Sequence, residues 1–65
     1  MNSELTETLD AIGILAMQLE NQINDLAMYA CKRGSPRSVH MLMVEHDKVH
    51  RMVRQLNRIA VGDWG

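Results

Sequence analysis

The sequence predicts an all-α protein, a two-helix antiparallel hairpin that dimerises into a four-helix bundle. Three observations carry that expectation. Apolar residues recur in alternating steps of four and three along both halves of the chain. The central run Lys32-Arg33-Gly34-Ser35-Pro36-Arg37 has the punctuation of one helix ending and another beginning. The two halves also carry opposite charge. No stretch alternates apolar and polar residues with period two, so strands are not expected.

The first helix is expected over residues 3–33. Asn2 or Ser3 can cap it, and Glu4 and Glu7 suit the positive end of its dipole. Its seam reads Leu5, Leu9, Ile12, Ala16, Leu19, Ile23, Leu26 and Ala30, a heptad spacing. Lys32 and Arg33 complement the negative end. Gly13 costs this helix about 1 kcal/mol relative to alanine. With Ala11 and Ala16 nearby it points to the close approach of another backbone, a local kink being the alternative.

The turn is placed at residues 34–35. Gly34 can adopt the left-handed conformation that closes a helix, Ser35 can cap the next helix through its hydroxyl, and Pro36 fits a first helical position, where no amide donor is needed. The second helix is expected over 36–61, with a seam of Val39, Leu42, His46, Val49, Val53, Leu56 and Ala60. Gly62 is its expected stop, and residues 62–65 form a tail. Folding at the turn sets Ala30 beside Val39, Leu26 beside Leu42, Ile23 beside His46 and Leu19 beside Val49. The same register sets Ala16 beside Val53, Ile12 beside Leu56 and Leu9 beside Ala60. These layers make residues 1–65 one domain.

Size then becomes the problem. A chain of 65 residues with one buried face per helix rarely gains more than roughly 3–5 kcal/mol from its core. Cys31 is the only cysteine, so no internal disulfide can help, and a lone thiol suits a reducing compartment. The acidic start Met1-Asn2-Ser3-Glu4 is unlike a secretory signal, and no apolar run reaches the ~18 residues of a membrane span. A cytoplasmic protein without membrane contact is expected. Residues 1–31 carry Glu4, Glu7, Asp10, Glu20 and Asp25 with no Lys or Arg. Residues 32–65 carry all seven Lys and Arg against Glu45, Asp47 and Asp63. Such halves attract side by side.

Ten apolar residues fall off the seam: Ile14, Leu15, Met17, Met28, Tyr29, Met41, Met43, Val44, Met52 and Ile59. An apolar surface of that extent marks an interaction site, and methionine adapts well to a partner. The chain is therefore expected to self-associate as a homodimer and to bind a second protein. Ile14, Met17, Met28, Tyr29, Met41 and Val44 are the expected partner surface, with Trp64 as a tail anchor. The expected function is that of a small adaptor or inhibitor, on the scale of regulatory proteins of phages, plasmids and secretion systems.

Other groups can be read as chemistry. His46 is the one polar residue on either seam, a site for a ligand or pH switch, or a core residue that fixes register with Glu20 as its partner. The structural role is the expectation. His46 and His50 share a helix face, and Glu45 or His40 can add a third donor to a metal. The spacing lacks the glutamate directly after the first histidine that a zinc-protease helix shows, and no cysteine pair supports it, so no metal or cofactor is expected. Lys48, Arg51, Arg54 and Arg58, with Arg37, make a basic stripe suited to phosphates. A pI near 6.2 and only Tyr29 and Trp64 for base stacking make nucleic-acid binding the second reading. No nucleophile, base and orienting group assemble from this sequence, and a non-enzymatic protein is expected.

Two resemblances add to this. Two long helices and a tight turn in about 60 residues resemble the Rop-type plasmid copy-number proteins, which are dimeric four-helix bundles that bind paired RNA loops. The likeness spans the chain but is one of plan, with no shared motif, so it implies a bundle and an RNA-binding alternative without assigning residues. The run from Val39 to Val49 resembles the second helix of the sporulation-type aspartyl-phosphate phosphatases, with Glu45 and Asp47 at the acidic positions of a Ser-Gln-Glu-Leu-Asp motif. Met43, Val44 and His46 replace its Ser, Gln and Leu, so the polar part of that motif is missing here.

Overall fold

The computed structural model describes residues 3–63. Two helices, α1 (Ser3–Lys32) and α2 (Pro36–Asp63), run antiparallel and pack against each other. The turn between them follows from local chemistry. Gly34 takes φ +73°, its amide donates to the Cys31 carbonyl at 3.0 Å, and the Ser35 amide donates to the Ala30 carbonyl at 3.0 Å. These two bonds form a Schellman closure, which satisfies the carbonyls that the end of α1 would leave unpaired. The Ser35 carbonyl then accepts the first bond of α2, from the Val39 amide at 3.1 Å.

Two local expectations change. The Ser35 hydroxyl donates to Ser38 Oγ at 2.9 Å, so it ties the cap to a side chain of the first turn in place of a backbone amide. Gly62 does not stop α2, which continues to Asp63. A glycine ends a helix by turning left-handed, and among the described residues only Gly34 has positive φ. Trp64, the expected anchor, lies outside the described residues.

The contact between the helices is built from very small side chains. Among the described residues the only buried side chains are Ala16, Ala27, Ala30 and Ala60. Leu5, Leu9, Ile12, Ile23, Leu42, His46, Val49, Val53 and Leu56 flank them half-buried. Leu19 and Leu26 depart from the expected seam: they are 45 % and 53 % exposed, while Glu20 and Ala27 turn inward in their place. The cause is helical phase. A strict seven-residue repeat drifts by about 20° per heptad around a straight α-helix. Beyond Ala16, Ile23 and Ala30 keep their inward positions, while Glu20 and Ala27 take those expected of Leu19 and Leu26.

The resulting molecule is a single layer. Its Cα extents are 48 × 16 × 6 Å and its radius of gyration is 15.1 Å, against about 11 Å for a compact chain of this length. Both broad faces of the layer are open. Gly13 is consistent with this openness, because a Cβ built there meets nothing within 4 Å. The close backbone approach expected at that position does not occur within the hairpin.

Candidate interaction surface

Thirteen large apolar side chains are exposed among the described residues. Helical geometry sorts them by face. Leu26 and Tyr29 of α1 and Met41 of α2 line one open groove, of about 460 Å³, beside the turn. Leu19 and Leu15 lie about two and three turns from Leu26 along α1. Met52 and Ile59 lie about three and five turns from Met41 along α2. These residues share the Leu26 side of the layer, called here the leucine face.

The opposite broad face is different. Met28 and Cys31 of α1 meet Met43 of α2 there, around a second groove that Asn24 also lines. Met17 lies about three turns below Met28 on that side, and Val61 lies about five turns from Met43. His50 Nδ1 donates to Glu20 Oε1 at 3.2 Å across the helix pair. This face is thus poorer in apolar groups than the leucine face and crossed by a polar bridge. Ile14 and Val44 point away from the helix contact, on the outer edges of the layer.

The six helical residues expected to form one partner surface are therefore all exposed but not contiguous. Tyr29 and Met41 come together in the first groove; Met28 and Met17 lie on the other face, and Ile14 and Val44 on the edges. Tyr29 is held by its neighbour one turn on. Arg33 Nε donates to the Tyr29 hydroxyl at 3.0 Å, Arg33 Nη2 donates to the same oxygen, and the guanidinium carbon lies 5.0 Å from the ring centre. Sequence reasoning missed Leu19 and Leu26 as surface residues. A period of 3.6 residues in place of 3.5, run along α1 from Ala16, would have found them.

The polar residues are also rearranged. Glu20 faces inward but bonds to His50, one turn further along α2 than the expected His46. His46 sits nearer the middle of the helix contact, with its side chain 22 % exposed and Nδ1 buried without a hydrogen-bond partner. Asp47 Oδ1, at 3.7 Å, is beyond hydrogen-bond reach of that nitrogen. No three His, Cys, Asp or Glu side chains converge as a metal site among the described residues. Lys48 is paired with Glu45 at 3.2 Å, which leaves Arg37, Arg51, Arg54 and Arg58 as the part of the basic stripe outside any ion pair among the described residues. No described helix is long and apolar enough to cross a membrane.

These features define the class as a helical hairpin with an uncovered apolar face. No protein-family model, curated protein or solved structure matches the chain.

Proposed function

We propose that this protein is a non-enzymatic adaptor or inhibitor that works by protein–protein contact, as a homodimer of helical hairpins. One observation carries the reading. Among the described residues the only fully inward side chains are four alanines, while thirteen large apolar side chains stay in contact with water. Covering each of these side chains is worth up to about 1.5–3 kcal/mol, so association is the largest source of stability still open to the chain. Two copies can close a bundle, and of the apolar groups left outside it, Met17, Met28, Ile14 and Val44 serve a second protein.

Sedimentation of the purified chain across a concentration series tests the first part. A dimer is expected at micromolar concentration, and a monomer with full helicity removes the proposal. Purification of the tagged chain from its host, followed by intact mass measurement, tests the second. Met28→Glu should release the partner and leave the dimer mass unchanged.

The unpaired Arg51, Arg54 and Arg58 support one alternative, a Rop-like nucleic-acid binder. Salt separates the two readings. Phosphate binding should fall steeply between roughly 50 and 200 mM salt and vanish in the triple alanine variant, whereas apolar binding tolerates both changes.

A further inference from the structure

We infer that the leucine face is the surface on which a second copy of this chain docks, with the two hairpin turns at the same end of the bundle. The inference rests on the dimer reading above and adds its face and its topology. The chain exposes 5251 Å², where a compact protein of 7.4 kDa exposes about 4200 Å². The excess, on the order of 1000 Å², is close to the ~800 Å² that each partner hides in an interface of standard size. One broad face of this layer supplies such an area.

The choice of face follows from composition. Leu15, Leu19, Leu26, Met41, Met52 and Ile59 give the leucine face an apolar row on both helices. The other face has fewer and smaller apolar groups, Met17 and Met28 on α1 and Met43 and Val61 on α2, bordered by Asn24, and the Glu20–His50 bridge crosses its middle. Burying that bridge would strip an exposed histidine of water and break a contact between the two helices' polar groups, whereas the Glu45–Lys48 pair on the leucine face is local to one helix.

The topology follows from where each face is polar. The Glu20–His50 contact shows which residues share a height: those whose numbers add to about 70. Gln22 interrupts the row on α1, and the Glu45–Lys48 pair interrupts the row on α2. By this register both interruptions stand at one height. A two-fold axis parallel to the helices keeps every height and lays α1 of one copy on α2 of the other. Gln22 then meets the second copy's Glu45–Lys48 pair, Leu26 and Tyr29 meet Met41, Leu15 and Leu19 meet Met52, and Ile12 meets Ile59.

A two-fold axis perpendicular to the helices inverts the heights. It sets each Glu45–Lys48 pair against the apolar level of Met52 and lays α2 on α2, so that one basic helix faces another. Charge opposes that arrangement. In α1, Glu4, Glu7, Asp10, Glu20 and Asp25 outweigh Lys32, and in α2, Arg37, Lys48, Arg51, Arg54 and Arg58 outweigh Glu45, Asp47 and Asp63. The parallel axis pairs each acidic helix with a basic one; the perpendicular axis pairs like with like, which is unfavourable across an interface.

Cys31 makes the test direct. It is exposed, lies near the turn on the face opposite the leucine row, and is the only cysteine. A nitroxide attached there in the otherwise unchanged protein should give one interlabel distance of about 20–35 Å by pulsed electron paramagnetic resonance, the width of a bundle with 8–10 Å between axes. A distance above about 40 Å, the rise between two Cys31 positions at opposite ends, overturns the topology while leaving the dimer intact. A distance below about 15 Å, or spontaneous Cys31–Cys31 disulfide formation, puts the other face inside and overturns the choice of face. A monomer by sedimentation overturns the dimer reading itself. As a second measurement, Met52→Glu should raise the dimer dissociation constant at least 100-fold and Met17→Glu should change it less than threefold. Equal effects of the two overturn the assignment.

Discussion

His46 occupies a position where α2 would ordinarily place an aliphatic residue. Its Nδ1 is cut off from water and unbonded, a condition that costs about 1–3 kcal/mol per buried polar group. His46→Leu removes the penalty and adds apolar contact, so chemical denaturation should show a gain of about 1 kcal/mol. Gly13 is the second residue with room for improvement. A Cβ there has no neighbour within 4 Å and the backbone is helical, so Gly13→Ala should raise stability by about 1 kcal/mol, read from the same denaturation curves. The histidine was visible in the sequence as a break in an apolar seam, but its bonding was not. Whether Glu20 reaches His46 or His50 depends on a rotation of α1 that spacing alone does not resolve.

At the scale of elements, the turn was the most legible part of the chain. Gly34, Ser35 and Pro36 act through their own backbone preferences, so three adjacent letters specify the closure and the restart. Gly34→Ala should therefore destabilise the hairpin by about 1–2 kcal/mol, the cost of a left-handed alanine, measurable as a shift in the denaturation midpoint at constant slope. The helices themselves were equally legible, because their apolar period is long and interrupted only at His46. Their contact face was legible along all of α2, where every seam residue from Val39 to Ala60 is buried or half-buried, and along α1 except at Leu19 and Leu26. Heptad counting and true helical phase coincide at Leu9, Ile12 and Ala16, and diverge by Leu19 and Leu26, where a difference of about a tenth of a residue per turn has accumulated. That divergence also moved two leucines from the expected core onto the candidate site. Gly62 shows the other weakness of local signals: a glycine permits a stop without enforcing one.

The whole molecule is a thin rod, 48 Å long and one helix layer thick. Such a shape hides little surface, and the proposed dimer implies that order and association are linked. The melting temperature should accordingly rise with protein concentration, by several degrees over a hundredfold series followed by circular dichroism. A melting point independent of concentration would mean that the alanine contact holds the hairpin unaided. The fold class was available from the sequence because periodicity and punctuation are properties of one chain. What lies over the leucine face was not, since it depends on how two chains meet.

A contact whose centre is alanine has one more implication. If a solitary copy is only loosely held, its backbone is open to proteases that cannot cut the paired form. Turnover should then be fastest when the protein is scarce and slow down as copies accumulate. The abundance of such a molecule would respond to its rate of synthesis with a threshold, and the four small alanines between its helices would set where that threshold falls.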